Sequence, residues 1–441
     1  MKKINTKLDN FFYSLPIKSG KYFLPGLKRW IVLLSFGIIC IAFGIALLFE
    51  LRPLTRISDF VWRSVKYIAH IAPPQISGPI ILLIGAAIIF LAVWFSIRTG
   101  IAATQDFSSS ELEHKSILRS LERAYKKGQG PRTVAIGGGT GLSTLLKGIK
   151  NYSRNITAIV TVGDDGGSSG RIREELKLIP PGDIRNCIAA LSDEEETLTS
   201  LFQYRFQQGD SLKGHSLGNL FLAALCDVCE GNIYKATESA SRILRSSGRV
   251  LPSSDKAIHL CAEMIDGSNI CGESNIPKAK AKIKRIYVEG EIPQALPQAI
   301  SAINEAELII LGPGSLYTSI IPNLLFPEII KALKNSKAKI LYICNLKQDA
   351  ETEEYKVSDF IKAIHDHTKE KIIDAVLVNA EESLDNKEKA IPLDIDKINK
   401  EGIEIIVRTK LFDSEGRHNS LRLARSIIQW FSMVKQKNIN E

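Results

Sequence analysis

Between Thr133 and Asn186 the chain reads TVAIGGGTGLSTLLKGIKNYSRNITAIVTVGDDGGSSGRIREELKLIPPGDIRN, and this stretch limits the folds open to it. Two short β-branched runs, beginning at Thr133 and Ile156, each pass into a glycine-rich loop. The first loop, Gly137, Gly138, Gly139, Thr140 and Gly141, leads into Leu142, Leu145, Leu146 and Ile149, whose spacing is that of an amphipathic helix. Glycines at such a turn let the backbone come close to a bound group, and the N–H groups of a helix start face an anion. GGGTG is neither the spaced dinucleotide fingerprint nor the ATPase phosphate loop, so phosphate is expected but its carrier is left open.

The second loop, GDDGGSSGR, adds polar side chains. Asp164 and Asp165 suit a ribose hydroxyl or a metal, Gly166 and Gly167 a close backbone approach, Ser168 and Ser169 hydrogen bonds, and Arg171 a phosphate. In an open α/β sheet, both loops sit at the carboxyl ends of adjacent parallel strands, where ligands bind. In PPGDIRN, Asp183 reads either as a helix cap or as a site residue, while Arg185 and Asn186 in the first turn suit a diphosphate. GHSLGN brings His215 and Asn219 to the start of another helix. The later run Leu308–Leu311 repeats the strand-to-glycine design, with Gly312, Gly314, Ser315 and Thr318 as further site residues. Near the end, Arg417 and His418 precede a helix for which Asn419 or Ser420 is the cap.

After Pro131, β-rich runs at Thr133, Ile156, Ile283, Leu308, Ile340, Ile372 and Ile403 alternate with helical patterns. This predicts an α/β fold, Rossmann-like, with a doubly wound, mainly parallel sheet over residues 131–441. Residues 192–268 read as mostly helical and as a cap over the sheet.

The first 106 residues read differently. Residues 30–49 and 79–97 are uncharged and apolar enough for two transmembrane helices, with spans at about 30–50 and 79–97. Residues 54–68 have the spacing of an amphipathic helix in the interface plane, or form a solvated connection. Basic residues flank both spans on the outer sides, which places the N-terminus and the large C-terminal domain in the cytoplasm of a multi-pass cell-membrane protein. Residues 107–130 read as a juxtamembrane helix and linker, capped by Ser110 and ended at Gly128 to Pro131. The helix could pair with a second copy, giving a homodimer.

The net charge of +9 owes much to the N-terminal flank, where seven basic residues face only Asp9. No aromatic and basic module of a nucleic-acid reader accompanies it, so no nucleic-acid partner is expected. The seven cysteines are scattered, as in a reducing compartment, and Cys226 with Cys229 reads as two buried thiols on a helix rather than a metal site.

The motifs GGGTG, DDGGSSGR, PPGDIRN, GHSLGN, GPGSLYTS and the terminal Arg417-His418 occur in an order that resembles the CofD-like superfamily. RVLPSS (Arg249 to Ser254) and GESNIP (Gly272 to Pro277) look like its gluconeogenesis factor, or YvcK, branch. One segment departs from that branch: Gln348-Asp349-Ala350-Glu351-Thr352 stands where members usually have Gln-Pro-Gly-Glu-Thr, and the third residue of the motif that begins Arg417-His418 is Asn419 rather than Asp. The resemblance implies binding of a UDP-sugar, UDP-N-acetylglucosamine in particular, and a link between central carbon flow, cell-wall precursor supply and cell shape through a partner enzyme. It implies no established catalytic step and no required cofactor, although Mg²⁺ can accompany the diphosphate on Asp164. The alternative, a transferase of the CofD type, puts Asp164, Asp165 and His215 in catalytic roles.

Overall fold

The computed structural model describes residues 33–42, 67, 73–104, 130–193, 196–209, 211–279, 281–380 and 390–440. The chain divides into two compact units, Met1–Tyr125 and Lys126–Glu441.

In the first unit the second predicted span lies within one helix, Pro74–Thr104, and residues 75–94 are long and apolar enough to cross a membrane. The first span is described only as the helix Leu33–Ala42. The two helices touch through glycines. A Cβ on Gly37 would fall 2.8 Å from Ile89, and one on Gly85 would fall 2.7 Å from Ile41 and 3.1 Å from the Gly37 carbonyl. Small residues at such a crossing let backbones pack closely where lipid-like side chains face outward. Leu83, Phe90 and Trp94 are exposed. The juxtamembrane helix of 107–130 and most of the 54–68 segment lie outside the described residues.

The second unit is built on a seven-stranded, wholly parallel sheet. In chain order its strands are β1 (Thr133–Gly137), β2 (Ile156–Val160), β3 (Arg249–Pro252), β7 (Leu308–Leu311), β8 (Lys339–Ile343), β9 (Ala375–Asn379) and β10 (Glu404–Arg408). Their spatial order is β10-β9-β8-β7-β1-β2-β3. Every residue of β1, β2 and β7 is buried, as expected when helices cover both faces. The helix Gly139–Ile149 packs between Gly182–Leu191 and the C-terminal helix Ser420–Asn440. That contact is close, because a Cβ on Gly148 would lie 2.0 Å from the Ser420 carbonyl. The α/β doubly wound expectation holds.

Two details differ. The expected helical stretch 192–268 contains three helices, Glu196–Gln203, Leu217–Val228 and Ile233–Ile243, but then supplies β3 to the main sheet and β4 (Leu260–Met264) to a second one. Val250 and Leu251 are held there by register with Ala158 and Ile159, a long-range pairing that a short apolar run does not announce. Conversely, the run at Ile283 is β6 (Ile283–Val288) of a small antiparallel sheet, order β5-β4-β6, with β5 at Asn269–Cys271. Its Lys284 and Arg285 are exposed and both pair with Glu263, so β6 has only one buried face. Cysteine usage also differs. Cys261 and Cys271 are directly opposed on β4 and β5 and joined as a disulfide, while Cys226 and Cys229 are free thiols, Cys226 buried on the helix Leu217–Val228 as expected and Cys229 half-buried just past its end.

Candidate functional site

The strand order reverses between β1 and β7, since successive strands run outward to β3 on one side and to β10 on the other. Loops leaving two such strands diverge and leave a crevice at their carboxyl ends. A cleft of about 360 Å³ lies there. The first glycine loop forms one wall (Gly138, Gly139, Thr140, Gly141) and the β7 loop another (Pro313, Gly314, Ser315). Asn345 to Lys347 and Asp349 follow β8, and Gly416 to His418 close the rim.

Local chemistry explains this shape. Gly139 (φ +63°) and Gly312 (φ +82°) occupy the left-handed region that favours glycine. A Cβ on Gly141 would lie 2.4 Å from the Pro313 carbonyl oxygen, so the two loops meet only because that atom is missing. The N-cap residue Gly138 brings no side chain to the start of the helix Gly139–Ile149, and the N–H groups of the first turn beyond Gly139 face the cleft as backbone donors. Lys347 and the half-exposed Arg417 add positive charge, although Arg417 also pairs with Glu415. The wall suits an anionic, phosphate-bearing ligand.

The second glycine loop forms an adjoining polar cluster. Ser168 lies at its centre, 3.0 Å from His215 Nδ1 and accepting from Asn219 Nδ2 at 3.0 Å. Ser216 caps the helix Leu217–Val228 by accepting the Asn219 N–H, and it also accepts from the Arg185 guanidinium. Arg185 further donates to Asn186 Oδ1 at 2.8 Å and is only 7% exposed. A Cβ on Gly218 would meet the Arg185 side chain at 2.8 Å, which explains how a guanidinium enters so deeply. Burial lowers the His215 pKa, with the nearby Arg171 adding to the effect. Arg171 itself donates to the Lys213 carbonyl at 2.9 Å. These residues are thus gathered together, but none of them lines the cleft.

Asp183 joins the two groups. It lies inside the first turn of the helix Gly182–Leu191, whose cap position is Pro181, so the capping alternative does not hold. Its carboxylate instead reaches the first loop and accepts the Gly139 N–H. Burial, with Asp164 nearby, pushes its pKa up to about 7. Asp164 accepts the Gly166 N–H at 2.9 Å, and its pKa is also raised by burial. Asp165 accepts the Ser274 N–H at 2.9 Å. This draws in Glu273, a residue that the motif reading did not single out; burial and the neighbouring Asp164, Asp183 and Asp165 raise it to about 8. Among the described residues, no three of these carboxylates come within metal-ligand spacing of one another. One or two of them could still hold a Mg²⁺ that arrives on phosphates, the usual mode for that ion.

Thr318 turns away from the cleft. Its hydroxyl donates to Glu351 Oε1 at 2.5 Å, and the Tyr317 N–H donates to Oε2 at 3.0 Å. The departing segment Gln348 to Thr352 thereby places a buried carboxylate on the start of the helical turn Leu316–Ile320. Asp349 secures it by accepting the Glu351 N–H and the Thr352 hydroxyl. Burial raises Glu351 to about 7. Glu351→Ala is expected to cost about 1–3 kcal/mol in urea unfolding, because it orphans a buried N–H and a hydroxyl. Ser319, Thr144 and Asn345 line the cleft without having been read from the sequence; they carry no glycine signature. His418 lies in the wall with its pKa lowered by burial to about 4, and Asn419 caps the C-terminal helix by accepting the Arg422 N–H at 3.0 Å.

Residues 133–411 match the 2-phospho-L-lactate transferase CofD family. The chain is 48% identical to the gluconeogenesis factor of Bacillus subtilis over 288 residues, covering 63% of this chain and 90% of that one. For the gluconeogenesis factor of Halalkalibacterium halodurans the identity is 45%, with 67% and 95% covered. A relative in Nostoc sp. is 44% identical over 427 residues, covering 93% of this chain and 92% of its own, so that likeness extends into the N-terminal unit. A crystal structure of a Bacillus halodurans protein superimposes with a TM-score of 0.65 at 43% identity, covering 68% of this chain and 99% of that one. With the switch-point cleft and its glycine loops in place, these likenesses show that the chain belongs to the gluconeogenesis factor family of the CofD-like superfamily.

Proposed function

We propose that the switch-point cleft binds a UDP-sugar, UDP-N-acetylglucosamine, and that the protein is a sensor rather than a catalyst. The observation that carries this reading is the N-terminus of the helix Gly139–Ile149, entered through glycines and held at Gly139 by Asp183, facing Gly314, Ser315 and two cationic side chains across one cleft. Backbone donors bind a diphosphate without needing a particular protonation state. His215 of the adjoining cluster is engaged with Ser168 and does not line the cleft. In this reading the ligand-loaded domain acts on a cell-wall precursor enzyme and so couples carbon supply to cell shape. The long apolar helix Pro74–Thr104, with its glycine-packed neighbour, supports an anchor that holds the domain at the cytoplasmic face of the membrane.

The carboxylates Asp164, Asp183 and Glu273 beside the Gly139 loop favour one competing reading, a Mg²⁺-assisted transferase. Thermal shift separates the two. UDP-N-acetylglucosamine at about 100 times its Kd adds roughly 2.7 kcal/mol of stability. The expected result is stabilisation by this ligand without turnover, weakened about tenfold in Arg417→Ala by loss of one charge-assisted contact. Response to guanine nucleotides alone, or Mg²⁺-dependent turnover that Asp164→Asn abolishes, would overturn the sensor reading.

A further inference from the structure

We propose that Cys261, Cys271 and Glu289 form a site for a zinc-class divalent cation, loaded while the two sulfurs are reduced and emptied when they join as the disulfide. Cys261 lies on the central strand β4 of the small sheet, Cys271 opposite it on the edge strand β5, and Glu289 just past the end of β6. The two sulfurs and a Glu289 carboxylate oxygen all lie within 4.8 Å of one another. Cys261 is buried, whereas Cys271 and Glu289 are exposed, so the cluster is backed by the sheet and open to solvent on one side. Three protein ligands with an open face leave a fourth position for water.

The donor set selects the metal class. Two thiolates with one carboxylate suit zinc and discriminate against Mg²⁺ and Ca²⁺, which take oxygen ligands. Tetrahedral zinc, with sulfurs at about 2.3 Å, holds them roughly 3.8 Å apart. The two Cα atoms lie 4.1 Å apart, so rotation about the Cα–Cβ bonds can supply that spacing from paired strands. The backbone of the third ligand is held as well, since the Glu289 N–H donates to the His259 carbonyl at 2.8 Å.

Discharge is thiol–disulfide exchange with a small-molecule disulfide. The two cysteine thiolates each give up one electron to form the S–S bond, and the oxidant takes both electrons, gains two protons from solvent and leaves as two thiols. Zn²⁺ is released without change of oxidation state. The state of the pair reaches the acidic cluster directly. Cys271 is followed by Gly272, which turns at φ +97° into Glu273 and Ser274, and Ser274 holds Asp165.

The test uses the full-length protein, Zn²⁺ alone and a competing chromogenic chelator. Samples are reduced with a phosphine or oxidised with glutathione disulfide. The reduced protein is expected to bind about one Zn²⁺ per chain more than the oxidised protein, and Cys271→Ser to erase that difference. Glu289→Gln should weaken binding at least about tenfold, the scale of loss seen even for outer-shell partners, while leaving the count of reduced thiols unchanged. Both substituted positions are exposed, and a melting curve checks that each variant is folded. Equal stoichiometry in the two redox states, or wild-type zinc affinity in either reduced variant, would overturn the proposal.

Discussion

Gly141→Val is expected to destabilise the protein by about 3 kcal/mol and to lower affinity for a ligand in the cleft more than tenfold. The added Cβ falls 2.4 Å from the Pro313 carbonyl oxygen, 2.7 Å from its carbon and 3.0 Å from Gly314 Cα. All three are backbone atoms, so no side-chain rotamer relieves the contact. The β1 and β7 loops must separate, and the strands that carry them are buried and cannot follow. Glycine is a poor helix former, but valine recovers only part of that propensity, so little offsets the overlap. Urea unfolding measures the first effect and thermal shift with UDP-N-acetylglucosamine the second. Thr144→Ala, in the same cleft wall, should change stability by no more than about 0.5 kcal/mol. Equal stability of Gly141→Val and the wild type would show that the loops do not pack as described.

Stability should also fall as pH rises from about 6.5 to about 8, the reverse of the usual behaviour of ion-paired carboxylates; below about 6.5 the histidines lowered by burial, His418 and His215 among them, act in the opposite sense. Asp183, Glu351 and Glu273 are raised in the folded chain to about 7, 7 and 8, from ordinary values of 3.8, 4.5 and 4.5. Between the ordinary and the raised value the folded state holds more protons than the unfolded one, so raising pH favours unfolding. Each group contributes at most about 1.4 kcal/mol per pH unit within its window. Below each ordinary value both states are protonated and the contribution is constant. Melting temperature recorded across this range measures the slope. Asp183→Asn should flatten it, and added Mg²⁺ should raise stability more at pH 8 than at pH 5, because cations offset the repulsion among ionised carboxylates. Stability that climbs steadily to pH 8 in the absence of divalent ions would contradict the raised values.

The same acidic cluster shows how far the sequence could be read. The motif DDGGSSGR puts two aspartates on one loop, and PPGDIRN puts another at a helix start, but nothing in the spacing tells that Asp183 accepts the Gly139 N–H. That bond requires the helix Gly182–Leu191 to lie beside Gly139–Ile149, a packing relation between segments well separated along the chain. Glu273 is further away still, and enters only because the small antiparallel sheet returns Ser274 to Asp165. Arg185 has the appearance of a phosphate ligand in sequence. In the fold it runs over Gly218 into a buried network with Ser216 and Asn186.

Short-range physics is what the residues alone determine here. Glycine at a left-handed turn, apolar residues at helical spacing and uniformly apolar short strands are local requirements, so the alternation of elements, the parallel sheet and the glycine loops were legible in order. Exchange of β3 for the Ile283 run in the main sheet was not, because both are brief apolar segments and only pairing with β2 separates them. The Cys261–Cys271 bridge, the turning of Thr318 to Glu351 and the division of the expected site into a cleft and an adjoining cluster were likewise settled by tertiary structure. Each depends on which distant groups share one buried volume, and that is set by the burial of the whole sheet and not by any one segment.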